Sequence, residues 1–159
     1  MLKYIDTKVV FREIPKEITL AINISGCPVK CPDCHSKYLW EDIGESLTED
    51  SLSTLINNNK GISCVAFMGG DADVEYLYKL FSFVKQEYPD IKVAWYSGVQ
   101  REVKNMNLSD IDYIKIGPYI KNKGPLDSPL TNQKMYKVHK HNGSVLLMDI
   151  TKSFIRSRL

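Results

Sequence analysis

The stretch EITLAINISGCPVKCPDCHSKYLW, residues 17–40, joins two unlike pieces of chain. Its first nine residues are rich in strand formers, and Ser25-Gly26 ends them in a turn. Residues 27–34 carry Cys27, Cys31 and Cys34, with His35 directly after them and Trp40 closing the stretch. The pattern is a strand whose C-terminal end delivers three closely spaced thiols to one loop. What those thiols hold decides whether the loop is structural or reactive.

Working outward, residues 3–12 mix β-branched and aromatic residues and predict an extended segment or hairpin. Thr48, followed by acidic residues and by Leu52, Leu55 and Ile56, predicts a helix over about 48–58. ISCVAFMGG (62–70) and IKVAWYSG (91–98) read as buried strands ending in glycine. Between them, Leu77, Leu80, Phe81 and Val84 mark one face of a helix that stops before Pro89. REVKNMN (101–107) suggests a weak helix, DYIKIGPY (112–119) a strand, YIKNKGPLDSPLTNQK (119–134) a loop, and GSVLLMDI (143–150) a last strand. The final SFIRSRL has no assignment.

The expected order is β-α-β-α-β-α-β. Near-continuous apolar strands suit a parallel sheet with helices on both faces. The fold class expected is therefore α/β, a partial (open) β/α barrel with mostly parallel strands. Its cysteine loop follows the first strand, and residues 1–159 form a single domain, too short for a full eight-fold barrel of about 250 residues. In such sheets chemistry gathers at the C-terminal strand ends. The cysteine loop and the turns at Gly69-Gly70, Gly98 and Gly117 should then converge on one site.

A net charge of +2 is too small to indicate a nucleic-acid or acidic-membrane partner. No apolar run approaches a membrane span, and MLKYIDTKVVFREIPKEI lacks the apolar core of a signal peptide. The expectation is a cytoplasmic chain whose thiols stay reduced. Disulfides are then poor candidates for the cluster of cysteines, which leaves a metal site.

A structural zinc site of Cys3His type is one possibility. Adjacent side chains at Cys34 and His35 diverge in an extended loop, however, and a second separated ligand pair is missing. An iron–sulfur cluster fits thiols packed this closely better. The fourth cysteine, Cys64, sits among Ile62, Val65 and Phe67 and reads as a small core residue. Three ligands to a four-iron cluster leave one iron open, and an open metal position is a binding site.

Cys-x3-Cys-x2-Cys after a first strand resembles the signature of radical S-adenosylmethionine enzymes. The resemblance implies a [4Fe–4S] cluster on Cys27, Cys31 and Cys34 and S-adenosylmethionine chelated at its open iron. In that family a Gly-Gly-acidic motif holds the methionine amino group, which here points to Gly69, Gly70 and Asp71. A strand-end polar motif adds Ser97, and main-chain groups around Asp33 and His35 would line the adenine. Two departures stand out. Asp33 occupies a place that is often aromatic, so a stacking contact is missing there, and Ala72 replaces a common proline, which loosens the turn.

CPDCHSKYLW, AFMGGDAD, AWYSG, DYIKIGPY and GPLDSPLTNQ, in this order, are similar to the anaerobic ribonucleoside-triphosphate reductase activating proteins, a compact branch of the glycyl-radical activases. The likeness spans about residues 5–150. It implies a glycyl radical made on the large anaerobic ribonucleotide reductase subunit, with electrons from a donor such as flavodoxin or ferredoxin. Alternatives are another compact radical S-adenosylmethionine enzyme, with a different glycyl-radical partner or a small-molecule substrate, and a non-catalytic zinc-stabilised module. Trp40 reads as packing under the loop, and His139 and His141 as a surface turn. Asp112 and Lys115 lie on alternate sides of their strand. Asp127 and Asn132 either meet a partner or cap turns.

Overall fold

The structure is a computed structural model that describes residues 1–100 and 102–155. Among the described residues the strands are β1 (Lys3–Val10), β2 (Thr19–Ile24), β3 (Glu45–Ser46), β4 (Cys64–Met68), β5 (Lys92–Tyr96), β6 (Tyr113–Ile116), β7 (Lys134–His141) and β8 (Ser144–Asp149). They form one sheet in the order β3-β1-β2-β4-β5-β6-β7-β8. The α-helices are α1 (Glu49–Asn58) and α2 (Val74–Glu87).

Three neighbouring pairs, β2–β4, β4–β5 and β5–β6, are parallel. The other four, β1–β2, β1–β3, β6–β7 and β7–β8, are antiparallel. The fold is thus a mixed, mostly antiparallel sheet with two helices, which corrects the expected partial β/α barrel with mostly parallel strands. The connections explain the difference. Residues 11–18 are too few for a parallel crossover, so β1 returns antiparallel beside β2. Asn142 and Gly143 both have positive φ (48° and 77°) and join β7 to β8 by the two-residue turn that antiparallel hairpins favour. Among the described residues no helix lies between β5 and β6. Residues 102–107 are turns and irregular backbone, and Arg101, where the weak helix was expected to begin, lies outside the described residues.

The helices form where the sequence predicts them. Thr48 caps α1 by accepting from the Ser51 backbone at 3.1 Å, while the Ser51 hydroxyl accepts from the Thr48 N–H at 2.8 Å. Asp73 caps α2, accepting from Tyr76 N at 3.2 Å. Both helices pack on the same sheet face. Leu52, Ile56, Leu77, Leu80, Phe81 and Val84 share one core with Leu20, Ile22, Val65, Phe67, Val93 and Trp95. The strand order β2, β4, β5 advances in one direction, and right-handed crossovers then put successive helices on one side. The expectation of helices on both faces fails for that reason.

The opposite face is covered by loops and the C-terminal turn, through Ile14, Leu126, Ile150 and Phe154. It is built in rungs set by the parallel register. Thr19, Cys64 and Lys92 lie opposite one another, then Ala21, Ala66, Ala94 and Tyr113, then Asn23, Met68, Tyr96 and Lys115. Small residues in the middle rung leave room above the sheet. The first rung is closed by Glu17, 7% exposed, whose carboxylate accepts from Ser63 Oγ at 2.5 Å and Tyr113 Oη at 3.4 Å and pairs with Lys92. No helix among the described residues is long and apolar enough to cross a membrane.

Glu17→Ala strands the Ser63, Tyr113 and Lys92 donors together. Urea denaturation should show a loss of about 1–3 kcal/mol, the usual cost of leaving buried donors without an acceptor. A loss under a few tenths would mean the cluster contributes no stability.

Candidate metal centre

The cysteine loop leaves the C-terminal end of β2, the first strand of the parallel set. Its base is pinned to the segment after it: Gly26 N donates to Glu41 O at 3.0 Å and Cys27 N to Leu39 O at 2.9 Å. Ser25 Oγ adds a bond to Ile43 O at 2.6 Å. Inside the loop, Lys30 and Asp33 take left-handed backbone conformations (φ 46° and 58°), each one residue before a cysteine. These two reversals fold a short loop back on itself. Cys34 N donates to Cys31 O at 3.1 Å, and Ser36 N points at Cys34 Sγ at 3.3 Å.

Cys27, Cys31 and Cys34 are free thiols that line a cavity of about 220 Å³. Its other walls come from the last rung of the sheet, Asn23, Met68, Tyr96 and Lys115, and from the turns that follow, Gly69, Gly98 and Gly117. The convergence of the cysteine loop with the strand-end glycines therefore holds, although the sheet around it is mixed. Among the described residues no three His, Cys, Asp or Glu side chains meet at the point a single ion would occupy. Thiols spread around a cavity suit a polynuclear centre, in which each iron takes one thiolate.

The remaining expected residues divide. Gly69 lines the cavity, with φ +105° and a hypothetical Cβ 3.3 Å from Ile24 O. Gly70, with φ +91°, turns away: a Cβ there would meet Leu77 Cδ1 at 2.3 Å, so helix packing demands this glycine. Asp71 and Ser97 bond to each other. Ser97 Oγ donates to Asp71 Oδ1 at 2.5 Å, Gly98 N donates to Asp71 Oδ2 at 2.9 Å, and Ser97 Oγ also accepts from Gln100 N at 3.0 Å. The pair ties the β4 turn to the β5 turn behind the cavity wall. Asp33 is exposed and lies 3.6 Å from Lys121. His35 is exposed too, its ring 5.4 Å from that of Tyr119, a cavity residue.

Cys64 stands at the far end of β4. Four residue steps of about 3.3 Å put it roughly 13 Å from Met68 at the cavity. It is fully buried, and burial, with the Glu17 charge second, pushes its thiol up to about 12. It is an inert core residue, as its sequence setting suggests.

Of Asp112 and Lys115, expected on opposite sides of their strand, Lys115 is the one at the cavity, and Tyr96 joins it without a role assigned from its motif. Lys115 lines the cavity, while Asp112, just before β6, pairs with Lys85 and accepts from Val93 N at 2.8 Å. Burial lowers the Lys115 ammonium to about 8, against the opposing pull of Asp71 and the three thiols. Its Nζ donates to Gly117 O at 3.1 Å and lies 5.7 Å from the Tyr96 ring centroid. The Tyr96 hydroxyl donates to Glu13 O at 2.6 Å, and burial holds its pKa far above the ordinary phenol value. Tyr96 also lines a second, larger cavity of about 550 Å³ with Phe11, Arg12, Pro125, Leu126 and Phe154. Asn23, Met68, Tyr96 and Lys115 share one face because the parallel register sets them opposite one another on four adjacent strands.

The family model described as "4Fe-4S single cluster domain" matches residues 18–139, well over half of the 159-residue chain. The chain belongs to that family. No curated protein and no solved structure matches it. The matched span begins just before β2 and takes in the cysteine loop and every strand of the parallel set. A [4Fe–4S] cluster is its cofactor, and the cavity suits it: three free thiols, the half-buried Lys115 and Trp40, whose buried indole N–H has no protein partner, line one space.

Lys115 gives the site a pH signature in the cluster-free chain. Its folded pKa lies near 8 against an ordinary 10.5, so the unfolded chain binds more protons between those values. Stability contributed at this position must rise with pH across that window. The unfolding free energy of wild type relative to Lys115→Met should therefore improve from pH 8 toward 10. A difference that is flat with pH would show an ammonium that keeps its water.

Proposed function

We propose that this protein is a radical S-adenosylmethionine activating enzyme whose cluster is held by Cys27, Cys31 and Cys34. The observation that carries the reading is the separation of Cys64 from the other three thiols by the length of β4. The cavity offers three thiolates to four irons, and the fourth iron is left for a ligand from outside the protein. A cluster held there by Cys27, Cys31 and Cys34 would supply the one-electron reduction that cleaves S-adenosylmethionine and starts hydrogen-atom abstraction from a substrate.

The protein's own part is holding and shielding. Gly69 lets backbone approach the cavity without a side chain in the way. The Asp71–Ser97–Gly98 bonds fix the two turns beside it, and the Asp71 carboxylate is the anion the motif offers to an amino group if it exchanges its Ser97 bond. Lys115 places a positive charge opposite the thiols, which offsets the charge that accumulates on a thiolate-bound cluster. Met68, Leu39 and Val29 supply apolar wall that limits water.

The substrate we favour is a glycine-bearing segment of a large anaerobic ribonucleotide reductase subunit. The larger cavity shares Tyr96 with the cluster cavity, and its mixed walls, apolar Phe11, Pro125, Leu126 and Phe154 beside Arg12 and Glu13, suit an extended segment of another protein. A flavodoxin or ferredoxin would feed the cluster. The same site could serve a different glycyl-radical partner, and the test separates the two.

The reconstituted protein, dithionite and S-adenosylmethionine should yield 5′-deoxyadenosine, and adding the reductase subunit should give a glycyl-radical doublet by electron paramagnetic resonance. Cys31→Ala should lower both by at least about a hundredfold, while Cys64→Ala should leave iron content and product unchanged. Deoxyadenosine without a protein radical would sink the reductase as substrate. Neither product, with zinc in place of iron, would sink the reading altogether.

A further inference from the structure

Trp40 closes the segment that pins the cysteine loop, and it lines the same cavity as the three thiols. Its Nε1 is buried and has no hydrogen-bond partner in the protein. Trp95 makes the contrast, for its Nε1 donates to Gly69 O at 2.9 Å. An indole nitrogen is a donor only, and leaving a buried donor unmatched costs about 1–3 kcal/mol. Of the four buried polar atoms without partners among the described residues, Trp40 Nε1 alone belongs to a residue of this cavity.

The main chain around Trp40 is fixed, and the indole stands between the thiol cavity and a second pocket lined by Lys30, Lys37, Tyr38, Glu41 and Ile43. The Leu39 and Glu41 carbonyls on either side of Trp40 accept from Cys27 and Gly26. Trp40 N donates to Lys37 O at 3.1 Å, and the Lys37 ammonium lies 5.7 Å from the indole centroid. Backbone bonds thus hold the residue against the cysteine loop, and a cation rests near its ring. The acceptors that a [4Fe–4S] cluster brings to this cavity are sulfurs carrying negative charge. Ser36 N, directed at Cys34 Sγ at 3.3 Å, is a backbone donor of the same kind.

We propose that the Trp40 indole N–H donates a hydrogen bond to a sulfur of the cluster and so sets its reduction potential. Such a bond strengthens when the cluster gains an electron, because the sulfurs become more negative. It therefore favours the reduced form and raises the midpoint potential. The inference rests on the cluster and needs no assumption about S-adenosylmethionine or the protein substrate.

The first experiment leaves the sequence intact. Full-length protein carrying ¹⁵N-indole tryptophan is loaded with cluster, reduced, and studied by pulsed electron paramagnetic resonance. A ¹⁵N coupling to the cluster spin is expected from Trp40, since the Trp95 N–H is taken by Gly69 O and its ring packs in the core beneath the helices. Trp40→Phe should keep the cluster, lose that coupling and one exchangeable deuteron signal in D2O, and shift the midpoint potential to more negative values. Trp40→His, which returns a ring N–H, should recover part of the shift. A labelled wild type without coupling overturns the proposal, as does a fully loaded Trp40→Phe with an unchanged potential; the N–H would then be meeting water. If Trp40→Phe fails to hold a cluster, the labelled wild type decides alone.

Discussion

The parallel register of β2, β4, β5 and β6 is the constraint on which the rest depends. It aligns Asn23, Met68, Tyr96 and Lys115 across one end of the sheet and stacks Ala21, Ala66 and Ala94 behind them. A parallel sheet sends every strand's C-terminal turn to the same edge, so three separate turns and the cysteine loop meet there with no long-range contact needed to steer them. A one-residue slip would turn Lys115 toward the helices and bring Ile114 or Ile116 into the cavity. The antiparallel additions at either side, β1 with β3 and β7 with β8, widen the sheet without touching this alignment.

Much of this was legible. Capping residues and apolar periodicity fix both helices to within a residue or two, because local signals and tertiary packing agree in them. The cysteine spacing identifies the metal-binding loop, and the apolar setting of Cys64 separates it from the other thiols. The barrel was misread because apolar strands and glycine turns say which residues are buried and where strands end, but not the direction of a neighbour. That direction lay in the connections. An eight-residue link before β2 forbids a crossover, and Asn142-Gly143 is a hairpin turn that the reading of His139 and His141 as a surface turn passed over; both histidines lie in β7.

The site shows a similar division. Motif position points to Gly69, Asp71 and Ser97 together; in the fold Gly69 lines the cavity, Asp71 and Ser97 bond to each other beside it, and Gly70 packs on Leu77. Asp33 and His35, adjacent in sequence to ligand candidates, end up exposed, since the left-handed residue at 33 turns the chain there. Lys115 and Trp40 lie inside quoted motifs, but the motifs assign neither of them a contact with the cluster. Their place in the cavity follows from strand register and from the bonds at the base of the loop, which only three dimensions reveal. Together they make the surroundings of the thiols electropositive and rich in donors, which is the environment an anionic cluster requires.

The most direct test of the three-thiolate site is Mössbauer spectroscopy on ⁵⁷Fe-loaded, anaerobically reconstituted protein, before and after adding S-adenosylmethionine. The account predicts four irons per chain, of which one changes its isomer shift on addition because its fourth position is open. Four irons that all ignore the addition, or a protein that binds zinc and no iron, would contradict it.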